Sequence, residues 1–373
     1  MTEATDVVVV GGGVVGTAAA YHLVERGIET VLVDDDREGS ATAAGAGIVS
    51  PPTSSRREND DWFAFAELAA AHYPELIDDL EAAGIEDHGY KRGEMLSVAL
   101  TPAEAETIET DRERAQRRDA AVEEITPAAA EAAFPALSGV ERALRFPGAG
   151  RVDGAMLTDA LGRAARKSGL TTVDGRAEAI QTENGAVSGV VVDGDRIDAE
   201  RVVVAGGAWS GGFGDDLGCS LPVTPVRGQI LHFDASAVFE DPAELPIVGS
   251  VADNYIVPWA DGRIVVGATR EHDSGFDPRL TAAGVQAVLD SGLRLAPGLA
   301  DATFEEARVG LRPGSPDGLP ILGAVPGVDG AYVATGHGPT GLTLGPYSGA
   351  VIAGLLAGEE PAADLSAFDP ARF

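Results

Sequence analysis

Lysine is nearly absent from this 373-residue chain, in which Lys91 and Lys167 are the only two. Acidic residues number 59 against 27 lysines and arginines, so the formal net charge is −32. Nucleic acids and anionic membranes attract basic surfaces, so this charge argues against binding to either. Arginine in place of lysine on so acidic a chain predicts a protein of a high-salt organism, because salt screens the repulsion among the carboxylates.

Cysteine and long apolar runs are also scarce. Cys219 is the only cysteine, which excludes an internal disulfide and any site built from several cysteines. No stretch approaches 18 consecutive apolar residues, so we expect no insertion into a membrane. Residues 1–6 are acidic and lead directly into an apolar run, without the basic start of a signal peptide. These features predict a cytoplasmic protein.

A nucleotide-binding turn is predicted near the start of the chain. Residues 7–10 are four valines, which predicts a strand buried on both faces. Gly11, Gly13 and Gly16 follow in the spacing G-x-G-x-x-G, at the start of a helix expected over residues 14–26. The first glycine permits a tight turn, the second lets the backbone approach a pyrophosphate, and the third lets helix and strand pack closely.

The surroundings of this turn strengthen the prediction. The N–H groups at the helix start, near Val14 and Val15, can face phosphates. A second strand, expected over residues 30–33, ends in Asp34 and Asp35, where a carboxylate can accept hydrogen bonds from ribose hydroxyls. The order of a strand, a glycine turn, a helix, a second strand and an acidic residue predicts a dinucleotide site. This order does not show whether the dinucleotide is FAD or NAD.

The rest of the chain alternates between two patterns. A helix over 157–168 and strands up to residue 205 continue the α/β pattern. The pattern from about residue 226 to residue 309 predicts strands separated by turns, which indicates a mostly antiparallel sheet. The chain then returns to a strand at 332–334 and a helix over about 341–357. The dinucleotide-type segments are therefore interleaved with an inserted domain.

Several separate stretches resemble one family. They are residues 10–16, 40–48, 202–210, 225–229, 255–258, 266–269, 310–314 and 334–341. In this order they resemble the D-amino-acid-oxidase-like flavoenzymes, which include glycine oxidase, sarcosine oxidase and D-amino acid dehydrogenases. The resemblance covers almost the whole chain and is closest to the glycine oxidase and D-amino acid dehydrogenase branch, through Tyr255, residues 310–314 and the spacing to His337.

The resemblance implies an α/β fold, α+β overall, with FAD as the cofactor. A discontinuous Rossmann-like FAD-binding domain would comprise residues 1–88, 147–223 and 327–373. An interleaved, mostly antiparallel substrate-binding domain would comprise residues 89–146 and 224–326. Covalent attachment of the sarcosine-oxidase type needs a cysteine near residues 310–314, and none is there, so noncovalent FAD is expected.

The resemblance also assigns cofactor contacts to three later stretches. The first would pass close to the flavin ring, the second would lie beneath the adenosine, and the third would aim helix-start N–H groups at the flavin N1/C2=O edge. The residues assigned are Thr42, Ala44, Gly45, Gly47, Ile48, Ala205, Gly206, Trp209, Gly336, His337, Gly338, Pro339, Thr340, Gly341, Leu342 and Thr343. Trp209 can instead be a core residue, and His337 can be a catalytic base or a packing residue.

Three side chains are candidates for contact with the substrate. Arg312, which would also lie near the flavin, can clamp a carboxylate with two parallel hydrogen bonds. Tyr255 occupies the motif position from which the glycine oxidase branch offers a hydroxyl to that carboxylate. Arg270 stands where glycine oxidases have an active-site methionine, and this cation can select an acidic substrate or point to solvent.

The expected activity is oxidation of a small amino acid such as glycine, a D-amino acid or an N-methyl amino acid. A hydride would pass to flavin N5, the imine would hydrolyse, and dioxygen or another acceptor would reoxidise the flavin. The alternatives are a 2-hydroxy-acid dehydrogenase of the same fold, a nicotinamide-dependent enzyme, and a flavin-carrying subunit of a multi-subunit amine dehydrogenase. The six histidines lack metal-ligand spacing, and the sequence leaves open whether the chain forms a homo-oligomer.

Overall fold

A computed structural model describes residues 4–251 and 254–373, so the first three residues of the acidic N-terminal segment lie outside the described part. The described chain forms helices and strands in two sheets. The helices are α1 (Val14–Glu25), α2 (Asp60–Ala82), α3 (Pro102–Arg117), α4 (Pro127–Ala133), α5 (Gly154–Lys167), α6 (Ala282–Leu295) and α7 (Gly341–Leu356). The strands of the first sheet are β1 (Thr5–Val10), β2 (Thr30–Asp34), β7 (Thr171–Asp174), β8 (Ala177–Glu183), β9 (Ala186–Val192), β10 (Asp195–Val204), β16 (Ile321–Ala324) and β17 (Ala331–Thr335). Those of the second are β3 (Ile48–Val49), β4 (Tyr90–Ala99), β5 (Glu123–Ile125), β6 (Arg142–Val152), β11 (Thr224–Asp234), β12 (Ile247–Ser250), β13 (Tyr255–Pro258), β14 (Arg263–Gly267) and β15 (Thr303–Gly314).

The first sheet is built around the valine strand. Its order is β16-β17-β10-β1-β2-β7, and β17, β10, β1, β2 and β7 all run parallel. Val7 and Val9 pack into a core with α1, α2, α5 and α7, whereas Val8 and Val10 pack into a second core on the opposite face. The prediction of a strand buried on both faces is therefore confirmed.

The second sheet is mostly antiparallel, as predicted. Its order is β15-β11-β14-β13-β12-β4-β6-β3, with β5 paired to β6. Among its described pairings, β12 with β4 is the parallel one. One hydrophobic core of this sheet contains Leu231, Ile256 and Val266, which are buried in the same cluster as Val288 of α6.

The strands of the two sheets alternate along the chain, which agrees with an interleaved organisation. β6 runs without interruption through the predicted boundary between residues 146 and 147. The exact residue ranges of the two domains stay a prediction. Within residues 4–251 and 254–373, no helix has both the length and the hydropathy that a membrane span requires.

Candidate active site

One cavity connects the two sheets. The carboxyl ends of parallel strands meet at one edge of a sheet, and here Val10, Asp34, Ala205 and Thr335 line the cavity from that edge. Its other end is lined from the second sheet, where Arg312 lies on β15. All of the predicted site residues except Gly16 and Gly336 line this cavity.

The glycine turn has the close packing that its spacing predicts. Gly11 has a φ of +106°, and a Cβ there would lie 2.5 Å from the carbonyl oxygen of Ala205. A Cβ on Gly16 would overlap the carbonyl oxygen of Gly11, so this residue serves helix packing and does not itself reach the cavity. Gly336 likewise lies outside the lining and turns the chain after β17 with a φ of +72°.

The start of α1 is open towards the cavity. Gly13 is its N-cap and has no side chain with which to cover the first turn. The hydroxyl of Thr42 accepts a hydrogen bond of 3.1 Å from the N–H of Val14, which joins the 40–48 stretch to this helix start. A helix start bordered by glycine, with its partial positive charge turned to a cavity, suits a pyrophosphate.

Asp34 and Asp35 mark the end of the cavity beside β2. Burial raises the pKa of Asp34, and the N–H of Gly12 offsets part of this rise by donating to the carboxylate. Asp35 pairs with Arg37 at 2.6 Å, and the Arg37 guanidinium lies 5.3 Å from the ring centre of Trp209. These side chains combine hydrogen-bond acceptors for hydroxyls with an aromatic and a planar cationic surface, which suits a nucleoside.

Small residues line the middle of the cavity. A Cβ on Gly45 would lie 2.5 Å from Cδ1 of Leu342, so the 40–48 stretch passes close to the start of α7. Thr343 strengthens this contact by donating its hydroxyl to the carbonyl of Ile48 at 2.9 Å. The resulting wall has little side-chain bulk, as a flat tricyclic ring requires, and the residues present therefore fit FAD.

The start of α7 is held from behind by buried side chains. The N-cap Thr340 uses its hydroxyl to donate to the carbonyl of His337 at 2.9 Å, and this hydroxyl lies 3.4 Å from Nε1 of Trp62. The buried hydroxyl of Tyr73 donates to the carbonyl of Leu342. These contacts hold the backbone before α7 and in its first turn. The N–H groups at the start of α7 therefore have a fixed direction.

His337 has a role in this support. Its side chain is buried, and Nε2 lies 2.9 Å from the hydroxyl of Ser348 on α7. Burial lowers the pKa of His337 to about 4, so the imidazole is neutral near pH 7. This placement favours the packing interpretation of His337 over that of a catalytic base.

Acid should weaken the fold through this histidine. The unfolded chain binds the proton near the ordinary pKa of 6.5, but the folded chain binds it only near 4, so stability is present above 6.5 and is lost as pH falls towards 4. The loss amounts to at most about 3 kcal/mol. We expect urea unfolding of the His337→Gln variant to depend less on pH over this window than that of the wild type. Equal pH slopes would contradict the burial of a neutral imidazole.

The two predicted carboxylate-binding side chains each lie over a glycine. The guanidinium of Arg312 lies across Gly228 of the neighbouring strand β11, where an added Cβ would overlap it. Its Nη1 donates to the carbonyl of Thr269 at 3.0 Å. The ring of Tyr255 lies over Gly267 of β14, where a Cβ would come within 2.6 Å of the hydroxyl oxygen. Both the Arg312 guanidinium and the Tyr255 ring therefore pack against backbone that carries no side chain.

Gly228→Ala is expected to disturb the site without removing a functional side chain. The new methyl group displaces the Arg312 guanidinium, and a misplacement of about 1 Å can cost about 100-fold in rate. We expect kcat/KM to fall by about this factor while FAD stays bound. Gly212→Ala is the control, because a Cβ there would meet no atom of the described chain within 4 Å. Equal activity of both variants would show that the guanidinium position does not matter.

Some lining residues escaped the sequence analysis. Arg37, Ser54, Ser55 and Phe213 all line the cavity. Gly175 lines it too, and its N–H donates to the carbonyl of Asp34 at 2.9 Å. Gly175 could have been found from the sequence, because it closely follows a predicted strand. The other four residues belong to no recognisable sequence motif.

Comparison with known proteins agrees with this geometry. Residues 6–355 match the family described as DAO, FAD dependent oxidoreductase. The uncharacterized oxidoreductase YurR of Bacillus subtilis is 40% identical, and the alignment covers 98% of both chains. The glycine oxidase of Pseudomonas aeruginosa is 33% identical over 98% of both chains. The crystal structure of iminodiacetate oxidase (IdaA) from Chelativorans sp. BNC1 superposes with a TM-score of 0.92 at 37% identity, over 98% of each chain.

The family match spans most of the chain, and the motifs that first suggested it lie together in one cavity. The prediction of a glycine-oxidase-like flavoenzyme fold is confirmed, and so is FAD as the cofactor. The chain therefore belongs to the DAO family of FAD-dependent oxidoreductases.

Proposed function

We propose that this oxidoreductase oxidises the C–N bond of a small amino acid, namely glycine, a D-amino acid or an N-methyl amino acid. The observation that carries the proposal is the Arg312 guanidinium, which lines the same cavity as the helix starts of α1 and α7. The similar proteins support it, since one is a glycine oxidase and another an iminodiacetate oxidase. Both names denote substrates with a carboxylate next to a carbon that bears nitrogen.

Arg312 would bind the substrate carboxylate. A guanidinium has five N–H donors in a planar fork, and the carbonyl of Thr269 takes one of them. A guanidinium can form the paired, charge-assisted hydrogen bonds that fix a carboxylate in one orientation. Tyr255 would add its hydroxyl from β13, so two strands of the second sheet would hold the acid group.

Orientation and electrostatics then account for the chemistry. Bound FAD supplies a hydride acceptor for the electrons that leave the carbon of the substrate. Arg312 and Tyr255 would hold that carbon in place, and the start of α7 would offer partial positive charge to the negative charge that develops in the cavity. A substrate amine that arrives neutral needs no side-chain base. The imine would hydrolyse to a keto acid and ammonia, or to an aldehyde from an N-alkyl substrate.

A hydroxy-acid substrate is the main alternative, and it needs a base for the hydroxyl proton. The histidine nearest to that role, His337, is buried against Ser348, which argues for the amine. The second alternative, a flavin-carrying subunit, predicts bound FAD that no amino acid reduces in the isolated chain. Noncovalent FAD, also proposed here, predicts that denaturation releases the flavin.

An anaerobic substrate screen tests the proposal. The purified yellow holoprotein is mixed with glycine, sarcosine, proline, both enantiomers of alanine, iminodiacetate and lactate, and the flavin absorbance is followed. We expect at least one amine to bleach the flavin and lactate to leave it oxidised. Bleaching by lactate alone, or by no compound, would contradict the proposal. Repeating the assay with dioxygen or an artificial acceptor then separates an oxidase from a dehydrogenase.

A further inference from the structure

A connection within the second sheet reaches across to the first. Residues 271–281 link β14 to α6, and both of these elements contribute to the core of the second sheet. The ring of Phe276 in this segment stacks on Trp209, with 5.8 Å between the ring centres and an angle of 26° between the ring planes. Trp209 follows β10 of the first sheet and lines the cavity beside Arg37. The 271–281 segment therefore contacts the end of the cavity that suits a nucleoside.

A buried arginine holds this segment in place. Arg227 on β11 is 7% exposed, and its Nε donates to the carboxylate of Glu271 at 3.0 Å. Its Nη1 donates to the carbonyl of Asp277 at 3.1 Å, so one guanidinium binds the segment on both sides of Phe276. The backbones of Arg227 and Glu271 also exchange two hydrogen bonds, of 3.0 and 2.9 Å. The second sheet therefore sets the position of Phe276.

A second contact lies beside the aromatic pair. Pro278 packs against Gly39, where an added Cβ would lie 2.9 Å from Cβ of the proline. The carbonyl of Gly39 accepts the N–H of Leu311 on β15 at 2.8 Å. Gly39 comes two residues after Arg37, whose guanidinium lies 5.3 Å from the ring centre of Trp209. The 271–281 segment therefore packs against both chain segments that form the nucleoside end of the cavity.

Burial in a hydrophobic core does not explain Phe276. Its side chain is 54% exposed, although it belongs to one of the most apolar residue types. What the ring covers is Trp209, a residue of the cavity lining. Stacked aromatic rings stabilise each other beyond the area that they bury, so the contact restrains the indole.

We infer that Phe276 is a positioning residue of the cofactor site, which holds Trp209 in place from the second sheet and thereby slows the release of FAD. The inference concerns retention of the cofactor and holds whichever substrate is oxidised. The worth of one aromatic pair corresponds to release that is about threefold to tenfold faster when the ring is removed. Coupling between two sites is reciprocal, so bound FAD must in return hold the 271–281 segment against the cavity.

The rate of FAD release measures the effect of the ring. Each holoprotein is diluted to a nanomolar concentration, and the rise in flavin fluorescence is followed. Phe276→Ala should release FAD faster by the factor given above, whereas Phe276→Tyr keeps the ring and should stay close to the wild type.

Phe304→Ala is the matched control for this measurement. Phe304 is 53% exposed and packs against another aromatic ring, Phe233, but neither residue lines the cavity. This control should release FAD at the wild-type rate. An unchanged rate in Phe276→Ala, or an equal acceleration in Phe304→Ala, would overturn the inference.

Trypsin cleavage tests the reciprocal effect of FAD on the segment. Arg279 is exposed within residues 271–281, so cleavage after it reports how often the segment opens. Cleavage after Arg196 on β10 reports opening of the fold elsewhere and serves as the reference. Mass spectrometry of the fragments gives both rates with and without FAD.

FAD should slow cleavage after Arg279 more than cleavage after Arg196 in the wild type and in Phe304→Ala. In Phe276→Ala this additional protection should be lost. Equal protection of Arg279 in the wild type and Phe276→Ala would contradict the coupling, and so would a wild type in which FAD protects both sites to the same degree.

Discussion

Arg312→Met lowers kcat/KM for the best amino-acid substrate by about 30-fold to several thousand-fold, which corresponds to about 2–5 kcal/mol for a charged contact. The side chain keeps its apolar length but loses the donors that would hold the carboxylate. FAD should stay bound, because the glycine turn and the start of α1 lie at the other end of the cavity. Stopped-flow reduction of the flavin measures the effect directly.

The control for this variant is an arginine replaced in the same way on the surface. Arg196 pairs with Asp198 at 2.6 Å on the exposed part of β10, so Arg196→Met removes a cation without approaching the cavity. It should retain wild-type kinetics. Unchanged kinetics in Arg312→Met itself would remove this residue from the substrate site.

Gly13→Val yields a folded protein that does not retain FAD. The backbone of Gly13 has φ −68° and ψ 178°, an extended conformation that any residue adopts, so valine does not strain it. Its side chain instead projects into tight space, because a Cβ already lies 3.1 Å from Oγ1 of Thr42. The methyl groups then occupy the approach to the start of α1.

Absorbance of the purified variant, with circular dichroism as the check on folding, measures this result. Gly93→Val is the matched control, since a Cβ on Gly93 would meet no atom of the described chain within 4 Å and β4 is a strand, which accommodates valine. This control should remain yellow. A yellow Gly13→Val protein would show that the pyrophosphate does not lie where the glycine turn predicts.

Features encoded by neighbouring residues were predictable from the sequence. The valine strand, the glycine turn and Asp34 follow one another within the first 34 residues, and the structure confirms the strand, helix, strand order that they predict. Residues 101–104 read Thr-Pro-Ala-Glu, a capping box that predicts a helix start, and Thr101 caps α3 by accepting the N–H of Glu104. The sequence also predicts a strand over residues 94–100, and the strand β4 begins earlier than that, at Tyr90.

Features that depend on pairing between distant segments were not predictable. Gly228 supports Arg312 only because β11 and β15 pair side by side, although 84 residues separate the two positions. Helix α6 was missed because Gly284 and Gly292 weaken its helical pattern. The structure explains the second of these glycines, since a Cβ there would lie 2.6 Å from Val266 of the sheet beneath. Packing against a distant strand therefore selected a residue that local propensity disfavours.

A crystal structure of the FAD-loaded protein with an unreactive small carboxylic acid tests the central claim most directly. The account predicts that both oxygens of the ligand carboxylate lie within hydrogen-bond distance of the Arg312 guanidinium, with Tyr255 beside them and the flavin ring across from the ligand. A carboxylate bound elsewhere in the cavity, with Arg312 turned away from it, would contradict the account.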